Sequence, residues 1–223
     1  MEDRFKVISI EQPESVIAEE YRTLRTNISM REFDKPMKLI NVVSANAQEG
    51  KTTTALNLAA VYGQLNKKVL LIDLDLRLPT IHKKLGLKNN VGIADILINK
   101  NKLEDSIVNY KECFDVLLSG TKTPFTSELV QSESLRSFLD DVKNRYDIVI
   151  VDCPPVNLVS DGIIVSKYCD GTIFCVATNH DERKELEHAK ELIDNVGINV
   201  IGVVMTYAEP KKHYYDNYYH RKG

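Results

Sequence analysis

Strand-length runs rich in Val, Ile and Leu recur along this 223-residue chain, with longer amphipathic stretches between them. They lie at residues 39–44, 68–73, 114–118, 147–152, 172–177 and 200–205. A strand with one wet face alternates apolar and polar residues, whereas a strand covered on both faces does not. Most of these runs are continuous, so they suit the interior of a parallel sheet. Helical periodicity predicts helices over 51–64, 134–144, 161–168 and 183–195. A leading helix over 15–30 precedes the first run and is opened by Pro13-Glu14-Ser15, which can cap it. Residues 86–126 are less regular and read as a crossover bearing short helices around 91–98 and 103–110. The alternation implies an α/β fold with a doubly wound, mostly parallel sheet.

The chain is 43% hydrophobic and 27% charged, enough apolar material for a real core. Its formal net charge of −3 gives no reason to expect nucleic acid as a partner. No apolar run approaches the ~18–20 residues that span a bilayer, and the N-terminus lacks a signal-peptide layout. The expected location is cytoplasmic. Cys113, Cys153, Cys169 and Cys175 show no CxxC spacing and are expected to be reduced, mostly buried thiols. Residues 1–206 read as one domain. Residues 207–223 hold Tyr207, Tyr214, Tyr215, Tyr218 and Tyr219 with almost no aliphatic residues, so they read as a mobile tail.

Three motifs at strand ends carry the chemistry. Glu49-Gly50-Lys51-Thr52-Thr53 follows the first apolar run and opens a helix, the context a P-loop requires. Backbone N–H groups there can cradle phosphates, Lys51 can reach the β/γ-phosphates, and the Thr52 hydroxyl can reach magnesium. Without ligand, the Lys51 side chain is expected to be solvated. The second motif is Leu70-Leu71-Ile72-Asp73-Leu74-Asp75, whose carboxylates at i and i+2 project to one side of an extended chain. The third is Ile148-Val149-Ile150-Val151-Asp152, an apolar run ending in one carboxylate suited to holding magnesium. Together they predict a P-loop NTPase-like site for ATP and Mg2+, with Thr52, Asp75 and Asp152 at the metal.

In this order the motifs resemble the bacterial tyrosine kinases (BY-kinases) of capsular and exopolysaccharide assembly, over nearly the whole chain. Glu19, Arg22 and Arg25 are similar to that family's E-x-x-R-x-x-R self-association helix. Asp73-Leu74-Asp75-Leu76-Arg77 looks like its D-x-D-x-R motif. Ser119-Gly120 with Pro124 and Ser127-Glu128-Leu129 resembles a family loop. The tyrosine-rich tail is similar to the family's phosphorylated cluster. The resemblance implies phosphoryl transfer from ATP to protein tyrosines, with Asp73 as the base beside Lys51 and Asp75. It implies modification of Tyr214, Tyr215, Tyr218 and Tyr219 in trans within a ring-like homo-oligomer. It also implies a separate transmembrane activator, which would hold the chain at the inner face of the membrane.

The sequence departs from the family pattern at three places. Ala47-Gln48 stands where Pro-Gly is common, Cys153 where Thr is usual, and Met205-Thr206 where Leu-Asn is usual. A positive φ at Gln48 would cost a non-glycine residue ~1–2 kcal/mol. Two other readings fit the fold. A partition- or septum-positioning ATPase carries a further lysine five residues before the P-loop lysine, where this chain has Asn46. A nucleotide-degenerate scaffold would regulate export without catalysis.

Overall fold

The computed structural model describes residues 5–31, 36–178 and 183–208. Within them, seven strands form one sheet: β1 (Leu39–Ser44), β2 (Val69–Asp73), β3 (Ile107–Tyr110), β4 (Phe114–Leu117), β5 (Ile148–Asp152), β6 (Gly171–Ala177) and β7 (Val200–Thr206). Their order is β3-β4-β2-β5-β1-β6-β7. All pairs are parallel except β3 with β4. The helices are α1 (Ile8–Glu11), α2 (Val16–Arg31), α3 (Lys51–Gly63), α4 (Ile81–Leu85), α5 (Ile93–Asn99), α6 (Thr126–Val130), α7 (Glu133–Arg145), α8 (Asp161–Ser166) and α9 (Arg183–Val196).

The continuous apolar runs serve two cores, one on each face of the sheet. Ile40, Val42, Leu71, Ile148 and Ile150 pack on the face that carries α3 and α4. Leu39, Val43, Leu70, Ile72, Val149 and Val151 pack on the face that carries α7, α8 and α9. Successive residues of a strand point to opposite faces, so a doubly covered strand needs an apolar residue at every position. This is the doubly wound sheet expected from the sequence. The leading helix α2 also lies as expected, and the Ser15 hydroxyl accepts from the Ala18 N–H at 3.2 Å as its cap. All four cysteines are free thiols, with Cys153 and Cys175 buried and Cys113 and Cys169 half-buried. Among the described residues, no helix is long and apolar enough to cross a bilayer.

The crossover region corrects one expectation. A helix was expected over 103–110, but only Leu103–Asp105 forms a 3-10 turn. Ile107–Tyr110 is instead an antiparallel edge strand paired with β4. Its hairpin turns at Lys111 and Glu112, which have φ of 52° and 55°. Two consecutive left-handed residues match the type I′ geometry that natural hairpins favour. Neither residue is the Asn or Gly that advertises this turn. The short helices α1, α4 and α6 were also not foreseen, because five residues or fewer carry too little periodicity.

The turn should therefore hold removable strain. Each left-handed non-glycine residue costs ~1–2 kcal/mol. Lys111 offsets this in part with an exposed ion pair to Glu11 at 3.0 Å, worth ~0–1 kcal/mol, and with its ammonium 5.5 Å over the Tyr110 ring, worth ~0.5–1 kcal/mol at an exposed site. The double substitution Lys111→Asn, Glu112→Gly should raise stability by about 1 kcal/mol after the entropy cost of glycine in the unfolded chain. Urea unfolding of the double variant against wild type measures this, and an unchanged midpoint would refute the assignment of strain.

Candidate functional site

The three motifs converge at the carboxyl ends of β1, β2 and β5, the edge at which open α/β sheets bind ligands. Parallel pairing sets Asp73 directly opposite Asp152 in register. The Leu74 N–H donates to the Asp152 carbonyl at 2.9 Å and locks the strand ends together. Both carboxylates are almost fully buried, at 0% and 1% exposure. The Ile81 N–H, at the start of α4, donates to Asp73 Oδ2 at 3.2 Å. Asp73 Oδ1 and Asp152 Oδ1 have no hydrogen-bond partner among the described residues. Burial pushes the Asp73 carboxyl well above the usual carboxylate range, and the neighbouring Asp152 charge pushes it further. Burial likewise raises Asp152, to about 6, against the opposing pull of Lys51 and the Thr52 hydroxyl.

The loop between β1 and α3 is bent tightly. Gln48 and Gly50 have φ of 65° and 81°, so the strain expected at Gln48 is present. Gly50 caps α3 without a side chain that could satisfy the first-turn N–H groups, which leaves them for an anion. The buried Glu49 braces the loop, its Oε1 accepting from the Asn46 N–H at 2.9 Å. Lys51 corrects an expectation: it is not solvated, with only 9% exposure. Its charge acts on the buried Asp152 at the end of β5. Thr52 is buried as well, its hydroxyl 3.1 Å from that of Thr80. The Thr53 carbonyl accepts from the Asn57 side chain at 2.9 Å, so Thr53 contributes to the helix as well as to the loop.

A cleft of about 1180 Å³ opens over this floor. Gly50, Lys51, Thr52, Thr53 and Asp75 line it, whereas Asp73 and Asp152 lie beneath. Asp75 is 7% exposed and accepts from the Leu78 N–H at 3.0 Å. No three carboxylate, imidazole or thiolate groups among the described residues form a ready-made metal cage. Magnesium seldom uses one; it is held by one or two carboxylates together with substrate phosphates. Partnerless buried carboxylate oxygens beside a hydroxyl and a phosphate-binding loop fit that arrangement. Thr52, Asp75 and Asp152 could hold the ion, and the loop with Lys51 could hold ATP.

Several contacts of the site were not foreseen. The Thr206 hydroxyl, at the end of β7, donates to the Glu49 carbonyl at 3.0 Å, and the Tyr207 hydroxyl donates to the Gln48 carbonyl at 2.9 Å. A Cβ on Gly50 would come within 2.8 Å of Thr206 Cγ2. Residues 157 and 159 positions away thus clamp the strained loop, which no local pattern could announce. Arg77 donates to Asp161 at 2.8 Å and to Ser127 at 2.7 Å, tying the second motif to α8 and α6. The Asn46 side chain donates to Glu185 on α9. On α2, Glu19 pairs with Arg22 at 2.7 Å, while Arg25 donates to the Val61 carbonyl in the last turn of α3 at 2.6 Å. Tyr214, Tyr215, Tyr218 and Tyr219 lie outside the described residues.

The buried carboxylate Asp152 makes the metal-free protein sensitive to pH. Its proton affinity is higher folded than unfolded, so it favours folding fully below about pH 4 and loses that contribution as pH rises through about 6. In the presence of chelator, Asp152→Asn should melt with wild type at pH 4 and ~5 °C above it at pH 7.5. Scanning calorimetry decides; an equal melting temperature at both pH values would show that Asp152 is not strained by its burial.

Residues 37–180 match the model of an AAA domain family, AAA_31. The chain is 37% identical to the tyrosine-protein kinase YwqD of Bacillus subtilis (strain 168) over 217 residues, 97% of this chain and 92% of that protein. It is 31% identical to the putative tyrosine-protein kinase CapB of Staphylococcus aureus over 196 residues, 87% of this chain and 86% of the other. The crystal structure of the chimerical protein CapA2B2 superposes with a TM-score of 0.85 at 38% identity, covering 89% of this chain and 88% of that one. The strained P-loop, the in-register carboxylates and these likenesses agree: the chain belongs to the family of bacterial tyrosine-protein kinases.

Proposed function

We propose that this chain is an ATP-dependent protein-tyrosine kinase that phosphorylates its own tail and regulates capsular or exopolysaccharide synthesis and export. The observation that carries the reading is the register of β2 on β5, which sets Asp73 and Asp152 side by side beneath the P-loop. In the proposed reaction, the bond between the γ-phosphorus and the β–γ bridging oxygen of ATP breaks as the tyrosine oxygen bonds to the phosphorus. ADP leaves and the phenolic proton passes to a base. Magnesium bound with ATP neutralises charge on the phosphoryl oxygens. Lys51 and the first N–H groups of α3 hold the phosphates, and Thr52, Asp75 and Asp152 are the proposed metal ligands. Asp73 is the proposed base: burial and the Asp152 charge raise its proton affinity, and its Oδ1 has no partner among the described residues. A free tyrosine has a pKa near 10, so the carboxylate assists only as the O–P bond forms.

The proposed acceptors are Tyr214, Tyr215, Tyr218 and Tyr219, presented in trans within a ring-like homo-oligomer. Of the candidate contact residues, Glu19 and Arg22 lie towards the surface of α2. Arg25 contributes through its grip on α3, which holds α2 in place. A separate transmembrane activator would place the chain peripherally at the inner face of the cell membrane.

Incubation with magnesium-ATP followed by phosphotyrosine mapping tests the activity. Wild type should label tail tyrosines. Lys51→Met should remain folded by circular dichroism and lose ATP binding, and Asp75→Ala should lose ~100-fold in transfer rate. Asp73→Asn should lower kcat and flatten its rise with pH. Unlabelled tyrosines with ATP hydrolysis would favour the partition- or septum-positioning ATPase, and a folded wild type that binds no nucleotide would favour the regulatory scaffold instead.

A further inference from the structure

The cleft is lined by more than the strand ends and the P-loop, and its remaining lining has a chemistry of its own. Among the described residues lining it, Asp75 is the only carboxylate, against the cations Lys51, Arg77, Lys83, Lys84 and Lys122. Three of the five are already engaged. Lys51 is buried and its charge acts on Asp152, Arg77 is paired with Asp161, and the Lys84 ammonium sits 3.9 Å over the Phe5 ring. Lys83 and Lys122 remain exposed, and neither forms an ion pair with a described residue.

These two lysines are held by rigid backbone, although they are far apart in sequence. Asn89 accepts from the Gly120 N–H at 2.8 Å and donates to the Gly120 carbonyl at 3.2 Å. Asp95 accepts from the N–H groups of Gly92 and Thr121 at 2.9 and 3.0 Å. Gly120 has φ of +82°, and a Cβ there would meet Asp95 Oδ2 at 2.1 Å, so only glycine allows this junction. The loop carrying Lys122 is thereby bolted to the segment that follows α4, which carries Lys83. The same cleft has an apolar lip: Leu78 and Leu158 line it while 71% and 61% exposed.

An apolar lip beside two unpaired cations fits an aromatic side chain that has an anionic neighbour. Resting on the kinase reading above, we propose that Lys83 and Lys122 select acceptor tyrosines flanked by a negative charge, either a carboxylate or a phosphotyrosine. The tail itself would then be modified in a primed order. Tyr214 adjoins Tyr215, Tyr215 adjoins Asp216, and Tyr218 adjoins Tyr219. Asp216 supplies the first anion, and a phosphate placed on one tyrosine of a pair supplies the anion for the other. Phosphotyrosine carries about −1.5 to −2 charges at pH 7, so it should be the stronger of the two signals.

The test uses the full chain, magnesium-ATP and three synthetic peptides that differ only in the residue after one tyrosine: Asn, Asp or phosphotyrosine. Two exposed charge contacts should lower KM for the phosphotyrosine peptide about tenfold relative to the Asn peptide at low salt, with the Asp peptide between them. The double variant Lys83→Glu, Lys122→Glu should abolish that order while KM for ATP stays within about twofold. The charge-matched control Lys67→Glu, Lys102→Glu, at two exposed lysines outside the cleft, should keep the order. Equal KM values in wild type, or an order that survives the double variant, overturns the proposal. A raised KM for ATP in the double variant, with peptide preference intact, would assign the lysines to the nucleotide and also overturn it. Binding by fluorescence anisotropy, with a non-hydrolysable ATP analogue present, separates the two readings. Tighter binding of the phosphopeptide without transfer to any peptide would sink the kinase reading and uphold the anion-selective rim. Absence of both would sink the two together.

Discussion

Two carboxylates forced together in a dry place organise this protein. The parallel register of β2 on β5 puts Asp73 opposite Asp152, and both are buried at the ends of strands whose other residues are apolar. Like charges on paired residues, removed from water, cannot both ionise without compensation. The fold supplies it in part, with the Ile81 N–H on Asp73, and with Lys51 and Thr52 acting on Asp152. One oxygen of each carboxylate still has no partner among the described residues. A phosphate-bound divalent cation would fit the donors present.

The same demand explains why the loop above is strained. To bring the first N–H groups of α3 over the carboxylates, the chain must reverse between Ser44 and Lys51, and it does so through positive φ at Gln48 and Gly50. Glycine meets this at no steric cost, whereas Gln48 incurs ~1–2 kcal/mol. Strain of this size persists only where the surroundings over-determine the conformation. Here the hydroxyls of Thr206 and Tyr207 grip the two neighbouring carbonyls from the end of β7, and the buried Glu49 holds the Asn46 N–H. Thr206 and Tyr207 thus serve the phosphate loop through its backbone.

Much of this was legible in the chain. The apolar runs located six of the seven strands, since a doubly covered strand cannot hide its continuous hydrophobicity. The Gly50-Lys51-Thr52 step and the acids at 73, 75 and 152 picked out the loop and strand ends that meet at the cleft. The edge strand Ile107–Tyr110 was missed because four residues with a Lys-Glu turn carry no strong signal, and because β4 provides the pairing that stabilises it. The burial of Lys51 was missed for a different reason. A lysine at a helix start is ordinarily wet, and the buried Asp152 on which its charge acts lies far away in sequence.

The sequence by itself determined the class of sheet, the strand ends that carry acid, and the loop that can take a phosphate. These depend on local periodicity and on residue types at short spacing, which neighbouring residues alone can enforce. Only the tertiary structure decided which carboxylates face the cleft and which lie beneath it, because that follows from strand order and register. It alone joined Asn89 and Asp95 to Gly120, Arg77 to Asp161 and Thr206 to Glu49. Hydrogen bonds and charges act across space over a few ångströms, and the long stretches of chain between these partners leave no trace of that proximity in the order of amino acids.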